Sequence, residues 1–200
     1  MLTAYIALGA NLASWAGPPE ATLAAAAERL DGLGRITTRS SLYSTEPVGF
    51  AEQPRFVNAV VALETELEPR ALLNELLVIE KEFGRNRSTS IPNGPRTLDL
   101  DILLFGDLLV SEPDLEIPHT RLAERAFVLV PLTEIAPQAV DASHGKTVAQ
   151  LLQALLKSRE SEAHAVVRIQ SEIWRAGAGA ADAGDALRTE PCRDDRHGGG

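Results

Sequence analysis

Hydrophobic and polar positions change their period several times within the first 156 residues, and each change predicts a boundary between a strand and a helix. Short apolar or alternating runs predict strands at 3–8, 35–44, 55–66 and 97–105. Leucine and alanine at helical spacing predict helices at 19–33, 68–83, 128–135 and 148–156. Two segments without periodic apolar positions, 45–54 and 84–95, are predicted loops. The order β-α-β-β-α-β, followed by helices, predicts an α+β sandwich with helices flanking one antiparallel sheet.

The periodic pattern weakens after about residue 160, which divides the chain into three predicted parts. We predict a compact domain over 1–160. Residues 161–175 include Val166, Ile169 and Trp174, which could add a last strand or helix docked on that domain. Residues 176–200 are rich in glycine, alanine and aspartate. We predict that this tail is disordered, because it has too little apolar surface to offset the entropy lost on ordering.

Composition and charge narrow the classes of function. Hydrophobic residues make up 44% of the chain, which is enough for a core, and 19 Lys and Arg against 28 Asp and Glu give a net charge of −9. This balance argues against an electrostatic nucleic-acid binder, which needs a basic face. No apolar run approaches the roughly 20 residues of a membrane span, and the N-terminus lacks a signal-peptide pattern. The single cysteine, Cys192, excludes an intramolecular disulfide. We expect a cytoplasmic protein without nucleic-acid or membrane partners.

The most informative local pattern is a pair of aspartates on the predicted strand 97–105. Residues two apart on a strand point to the same face, so Asp99 and Asp101 project together while Leu98 and Leu100 face the other way. Magnesium is commonly held by one or two carboxylates together with substrate phosphates. The alternative is a pair of solvated acids on an exposed strand. The apolar neighbours and the basic loop before the strand favour the metal site.

Three arginines, Arg85, Arg87 and Arg96, lie close to the aspartate pair in an otherwise acidic chain. The planar guanidinium group matches phosphate oxygens bidentately, so the combination predicts a site for phosphate and Mg²⁺. Ordinary surface arginines are the alternative for any one of them. The chain contains neither a Walker A pattern nor G-x-G-x-x-G, so a nucleotide would bind without a P-loop.

Further candidates are one histidine and two aromatic residues. His119 could contact phosphate or cap a helix, although a single histidine is more often structural. A flat heterocycle could stack on Phe56 or Phe127 and form hydrogen bonds with Asn58. The alternative is that both phenylalanines belong to the core.

These residues belong to sequence strings that resemble the 6-hydroxymethyl-7,8-dihydropterin pyrophosphokinase family. The strings follow the family's order and cover about residues 3–156. They are AYIALGANL at 4–12, YSTEPVG at 43–49, QPRFVNA at 53–59, GRNR at 84–87, GPRTLDLD at 94–101, and PH with RAF between 118 and 127. The string around the two aspartates, together with the upstream arginines, is the most specific of them.

The resemblance implies a ferredoxin-like α+β sandwich and a reaction of folate biosynthesis. Pyrophosphate would pass from ATP, as co-substrate, to the hydroxymethyl oxygen of 6-hydroxymethyl-7,8-dihydropterin, and AMP would be released. Two Mg²⁺ ions would be bound with ATP by Asp99 and Asp101.

The family's motifs also imply roles for individual residues. The residues implied in catalysis are Asp99, Asp101, Arg85 and Arg96. Those implied in pterin binding are Thr45, Val48, Phe56, Asn58 and Phe127. Those implied in nucleotide binding are Glu80, Arg87, Ile102, His119 and Arg125.

The chain departs from the family pattern at a few positions, none of them at the aspartate pair. Asn93 stands where some members carry tryptophan, Leu77 stands where some carry a polar residue, and Phe56 replaces a tyrosine. The stretch 88–93 is one residue longer than the pattern.

Two other functions remain compatible with the residues alone. A different two-metal phosphoryl or nucleotidyl transferase would use the same aspartates and arginines without an aromatic clamp. A ferredoxin-like binding module would leave the acidic strand face solvated and would not bind nucleotide with Mg²⁺.

Overall fold

Six antiparallel strands of the described residues form the central sheet. Five of them fall in the four predicted strand segments, and the sixth lies in the segment 161–175, for which the sequence predicts either a strand or a helix. A computed structural model describes residues 1–47, 49, 52–86, 94–158 and 165–176. The strands of the sheet are β1 (Leu2–Ala10), β2 (Arg35–Arg39), β3 (Leu42–Thr45), β4 (Phe56–Thr65), β5 (Asp99–Phe105) and β10 (Val166–Ile169). Their order is β10-β3-β4-β1-β5, and β2 pairs with β4 beside β3. The predicted α+β class with one antiparallel sheet is confirmed.

Two short hairpins and five α-helices complete the described chain. The hairpins are β6 (Val110–Glu112) with β7 (Leu115–Ile117), and β8 (Val140–Asp141) with β9 (Lys146–Thr147). The helices are α1 (Pro19–Asp31), α2 (Pro69–Glu82), α3 (Ala126–Ile135), α4 (Val148–Ser158) and α5 (Glu172–Ala176). Within the described residues, no helix is both long enough and apolar enough to span a membrane.

The sheet separates two apolar clusters. Helices α1 and α2 pack with Ile6, Leu8 and Leu63 on one face, and α3 and α4 pack with Val60 and Leu104 on the other. Strand β4 lies inside the sheet and is apolar on both faces, because each face is covered by helices. The ends of β1, β4 and β5 are therefore held by a packed core on both sides, which gives the side chains at those ends fixed positions.

The predicted strand 35–44 is two strands, because Ser40 interrupts the pairing with β4. The Ser40 hydroxyl accepts a hydrogen bond from the Val60 amide at 2.9 Å, while the Ser40 amide donates to the Val60 carbonyl, also at 2.9 Å. A serine side chain that bonds to nearby backbone competes with the regular ladder. Helix α3 starts at Ala126, two residues before the predicted start. The disordered tail predicted for 176–200 lies outside the described residues from 177 onward.

Strand β3 is joined to helix α3 by the carboxylate of Glu134. The Tyr43 hydroxyl donates to Glu134 at 3.0 Å, and the Ser41 amide and hydroxyl donate to it at 2.8 and 2.7 Å. Burial, and then the bond to Glu134, raises the pKa of Tyr43 from its ordinary value of 10.0 to about 12.

This shift predicts that the folded protein loses stability in alkaline solution between about pH 10 and about pH 12. In that window the unfolded tyrosine ionises first, so ionisation favours the unfolded state. The chain has two tyrosines, so a Tyr5→Phe variant leaves Tyr43 as the only phenol. Its phenolate absorbance should then appear near pH 12 in the folded protein. A midpoint at the ordinary value, with the protein still folded, would contradict the prediction.

Candidate active site

A cavity of about 520 Å³ opens where the ends of β1, β3, β4 and β5 meet the first turn of α3. Ten residues that the sequence predicts for the site line this cavity: Thr45, Phe56, Asn58, Arg85, Arg96, Asp99, Asp101, His119, Arg125 and Phe127. Val48 and Arg87 lie outside the described residues. The structure therefore brings together side chains that are more than eighty positions apart in sequence.

Strand pairing places the cavity's polar groups in a row across the sheet. Gly9 at the end of β1 pairs with Asn58 on one side and with Asp99 on the other. A Cβ atom on residue 9 would lie 3.0 Å from the Asn58 amide oxygen, so glycine keeps the space between the two strands open. The amide of Asn58 and the carboxylate of Asp99 consequently face the same cavity from the two sides of Gly9.

The aspartate pair projects into the cavity, as period-two alternation predicts. Asp99 and Asp101 line the cavity, while Leu98 and Leu100 are buried in the core. Asp99 forms ion pairs with Arg85 and with Arg96, whose Nη1 lies 2.6 Å from Asp99 Oδ2. The Asp99 side chain is only 22% exposed. The interpretation of this strand as a solvated acidic face is therefore wrong for Asp99.

Glu80 lies behind the cavity rather than in its wall. It is 1% exposed, and its Oε1 accepts hydrogen bonds from Arg85 Nη1 at 2.6 Å and from the Leu100 amide at 2.9 Å. Burial alone would lower the pKa of Arg85, but the carboxylates of Asp99 and Glu80 raise it above its usual value. Glu80 thus positions a permanently charged arginine and also fastens α2 to β5.

Asn11 supports the site from behind the residues that line the cavity, and in the sequence it appeared only as one letter of a matching string. Its side chain accepts a hydrogen bond from the Arg96 amide at 2.8 Å and donates to Gln53 Oε1 and the Pro54 carbonyl, both at 3.0 Å. The backbone amide of Asn11 also donates to the Arg96 carbonyl at 3.0 Å. One residue at the end of β1 therefore fixes the backbone next to Arg96 and the segment that precedes β4.

His119 and Arg125 approach Asp101 from the opposite wall. Arg125 Nη1 lies 4.0 Å from Asp101 Oδ2. Burial, and then the charge of Asp99, raises the pKa of Asp101. Burial lowers the pKa of His119, although Asp101 partly offsets this effect. The Arg121 amide donates to His119 Nδ1 at 3.0 Å, so a neutral His119 carries its proton on Nε2.

The residues predicted to bind a heterocycle lie on β3, β4 and the start of α3. Asn58 Nδ2 donates to the Thr45 hydroxyl at 2.7 Å, which fixes the orientation of the amide. Phe56 is 9% exposed yet lines the cavity, as does the partly buried Phe127. An arginine covers each ring: Arg96 Cζ lies 5.1 Å from the Phe56 centroid, and Arg125 Cζ lies 5.7 Å from that of Phe127.

Ile102 is placed away from the other predicted residues. Its side chain is 5% exposed and belongs to the apolar cluster that also contains Leu98 and Leu100. Side chains alternate along a strand, so Asp99 and Asp101 face the cavity and Ile102, one position further on, faces the core. A nucleotide contact by Ile102 stays a prediction.

The donor chemistry of the aspartate pair fits magnesium shared with a phosphate substrate. Carboxylate oxygens are hard ligands, and Mg²⁺ usually takes one or two of them and completes its shell with phosphate and water. Within the part of the chain that the structure describes, no group of three or more His, Cys, Asp or Glu is arranged to hold a metal ion. Two carboxylates that face several arginines are suited to an ion that arrives with its own anionic ligand.

Comparisons with known proteins agree with this chemistry. A sequence model of the family described as 7,8-dihydro-6-hydroxymethylpterin-pyrophosphokinase matches residues 5–137. The 2-amino-4-hydroxy-6-hydroxymethyldihydropteridine pyrophosphokinase of Pseudomonas aeruginosa is 46% identical over 152 residues, covering 75% of this chain and 90% of the relative. The protein of the same name from Haemophilus influenzae is 47% identical over 142 residues, covering 70% of this chain and 85% of the relative.

Solved structures show a related fold. The crystal structure of wild-type HPPK-DHPS from Plasmodium falciparum with SDX-DHP superposes with a TM-score of 0.63 at 16% sequence identity and covers 86% of this chain. The A437G form with SDX-DHP gives a TM-score of 0.67, also at 16% identity, and covers 85%. This chain spans about half the length of those chains, 48% and 49%. At this level of identity, the likeness establishes the fold alone.

Proposed function

The chain belongs to the 7,8-dihydro-6-hydroxymethylpterin-pyrophosphokinase family, and we propose from that premise how its cavity carries out the family's reaction. The protein is an ATP-dependent pyrophosphokinase of folate biosynthesis. It transfers pyrophosphate from ATP to 6-hydroxymethyl-7,8-dihydropterin and gives the pterin diphosphate and AMP. The family, the fold class and the reaction predicted from the sequence are confirmed.

The pterin ring binds between Phe56 and Phe127 in this proposal, with Asn58 and Thr45 at its polar edge. The support is the hydrogen bond from Asn58 to Thr45, which leaves the Asn58 carbonyl oxygen beside Gly9 and facing the cavity. Aromatic rings bind a flat heterocycle by stacking, while a fixed amide recognises its pattern of donors and acceptors. Val48 lies outside the described residues, and its role in pterin binding stays a prediction.

The phosphates of ATP lie at the charged end of the cavity, along β5. Arg85, Arg96 and Arg125 would each contact phosphate oxygens, and His119 would donate from Nε2. These arginines are at present paired with carboxylates. An incoming polyphosphate offers the guanidinium groups charge-assisted and often bidentate hydrogen bonds of the kind that they form with the carboxylates. Glu80 acts indirectly by holding Arg85, and Arg87 completes the proposed nucleotide contacts. Ile102 would contact the nucleotide only through its backbone, because its side chain is buried in the core.

Asp99 and Asp101 would hold the metal, which we propose to be two Mg²⁺ ions bound with ATP. Bound magnesium would neutralise part of the charge on the transferred group. Burial, and then the charge of Asp99, raises the pKa of Asp101, so a cation bound between the two carboxylates would stabilise their charged forms. We further propose that the protein works in the cytoplasm without a nucleic-acid partner, consistent with its net charge of −9.

The reaction depends on how the cavity positions the pyrophosphate group, the leaving AMP and the hydroxyl group of the pterin. Because pyrophosphate is transferred and AMP leaves, the pterin hydroxyl oxygen forms a bond to the β-phosphorus of ATP and its proton is released. The bond between the β-phosphorus and the oxygen that bridges it to the α-phosphate breaks, and its electron pair leaves with AMP. Phosphoryl-type transfer of this kind depends mainly on alignment and on stabilising charge. The row of Asn58, Gly9 and Asp99 supplies the alignment, because it sets the pterin site beside the phosphate site. This row is the observation that carries the proposal.

The test is AMP formation from Mg-ATP with and without 6-hydroxymethyl-7,8-dihydropterin. We expect AMP to appear only when the pterin is present, in equal amount to the pterin diphosphate. AMP formed at the same rate without pterin, or ADP as the product, would overturn the assignment for this chain and favour a different transferase.

Replacing Phe127 by alanine is expected to raise the KM for pterin by about tenfold or more, because stacking and apolar contact are both lost. The KM for ATP should change much less. Phe127→Leu is the matched control, since it keeps most of the apolar volume but removes the ring. Steady-state kinetics with each substrate varied would show the difference. Equal KM values for pterin in wild type and Phe127→Ala would contradict the proposed clamp.

A further inference from the structure

The last strand of the sheet contributes to the same cavity. Strand β10 pairs antiparallel with β3 in a register that sets Val166 opposite Thr45. Ala165 and Val166 both line the cavity together with Thr45, Phe56 and Phe127. The family match ends at residue 137, so it assigns no role to this strand. Its position at the end of the sheet opposite β5 places it far from the aspartate pair and next to the proposed pterin site.

Alternation along β10 directs one valine toward the site and the next away from it. Val166 packs with the apolar cluster that includes Phe127, on the α3 face of the sheet. Arg168, two residues later, extends to the same face, where its Nη2 lies 3.7 Å from Glu134 of α3. Val167 has the opposite parity and is 50% exposed. The two valines therefore share a strand, a size and a chemistry but differ in the face they occupy.

The strand is held at both ends. Near its start, Arg55 Nη2 donates to the Ala165 carbonyl at 3.4 Å, while its Nε donates to the Ser44 hydroxyl at 2.8 Å. Beyond its end, Trp174 of α5 is 5% exposed and donates from Nε1 to the Ser40 carbonyl at 2.7 Å. A strand whose backbone is anchored in this way can define the width of a pocket, because its Cα atoms stay at a fixed distance from the opposite wall.

We propose that Ala165 and Val166, at the start of β10, form the outer wall of the pterin end of the cavity and that Val166 limits the width available to the ring. This inference rests on the proposed function, because it takes the pterin to lie beside Thr45 and Phe127. Strand β3 is otherwise an edge at this point, and β10 covers it directly beside Thr45. Val166 acts on specificity through contact with the bound pterin ring and does not contact the phosphate site along β5.

The experiment compares Val166→Phe with Val167→Phe in the full chain. The larger side chain at position 166 enters the proposed ring site, so we expect the KM for pterin to rise by about tenfold or more. The KM for ATP should stay within about twofold, because the phosphate site lies at the other end of the sheet. Val167→Phe should leave both constants within about twofold of wild type, since its side chain points to the opposite face.

Two further measurements keep the outcome unambiguous. Thermal unfolding of each variant establishes that it is folded, and Val166→Ala provides a second change at the same position that removes contact without crowding the strand. It should raise the KM for pterin by about threefold with little effect on ATP. Wild-type values at both Val166→Phe and Val166→Ala would overturn the inference, as would an equal loss in Val167→Phe.

Phe127→Ala separates failure of this inference from failure of the proposed site. If Phe127→Ala raises the KM for pterin while the Val166 variants do not, the clamp stands and the role of the strand is refuted. If neither position affects pterin, the pterin does not bind at this end of the cavity, and both proposals fall.

Discussion

Replacing Asp99 by alanine is expected to lower pterin-dependent AMP formation by about a thousandfold or more. The substitution removes a proposed magnesium ligand and the carboxylate that pairs with both Arg85 and Arg96. Both effects weaken stabilisation of the charge on the transferred group. The measurement is AMP release under saturating Mg-ATP and pterin, followed by a titration with Mg²⁺ to detect loss of metal dependence.

Asp99→Asn and Asp107→Ala provide the controls for this result. Asparagine keeps the size and one oxygen but lacks the charge, so we expect Asp99→Asn to be nearly as inactive as Asp99→Ala. Asp107 is exposed at the turn after β5, and its replacement should leave activity close to wild type. Activity of Asp99→Ala within tenfold of wild type would remove Asp99 from the catalytic machinery and contradict the proposed metal site.

Replacing Glu80 by alanine is expected to lower the free energy of unfolding by about 3–5 kcal/mol, the usual loss when one partner of a buried ion pair is removed. The Leu100 amide loses its acceptor, and the buried guanidinium of Arg85 loses one of its carboxylates. Because typical domains are stable by only about 5–15 kcal/mol, this loss is large. Urea denaturation of the purified variant gives the difference directly.

Glu82 on the same helix is the matched control for Glu80. Its carboxylate pairs with Arg29 at the surface, with both side chains substantially exposed. Exposed ion pairs contribute little because water screens them, so Glu82→Ala should unfold at nearly the wild-type concentration of urea. Equal losses in the free energy of unfolding of the two variants would show that burial does not account for the contribution of Glu80 to stability.

The sequence predicts the aspartate pair well because that prediction depends on local geometry. The alternation of Asp99 and Asp101 with Leu98 and Leu100 fixes which side chains share a face, whatever the rest of the fold. Arg96 lies 3 positions before Asp99, so its proximity also follows from short spacing, whereas Arg85 is 14 positions away and reaches Asp99 from just beyond α2. The family resemblance then supplies the reaction, which the local pattern alone leaves open among several transferases.

Other parts of the site depend on contacts between distant segments and have no local signal. Asn11 meets Arg96 across 85 positions, and nothing in the short string around it indicates which loop it binds. Glu80 lies on the same helix face as the buried Leu76 and Phe83, but the partners of its carboxylate, Arg85 and the Leu100 amide, follow only from the packing of α2 on β5. Val166 reaches the cavity because β10 pairs with β3, a pairing that an isolated run of four apolar and polar residues does not specify.

The Asn11 junction ties the position of Arg96 to strand β1 rather than to the segment that precedes Arg96 in sequence. Asn11 bonds to both the amide and the carbonyl of Arg96, so the backbone of Arg96 is anchored from the end of β1. A change of chain length upstream of residue 94 would therefore leave the guanidinium group in register with Asp99. Protein engineers can vary the length of that upstream segment as long as Asn11 is retained.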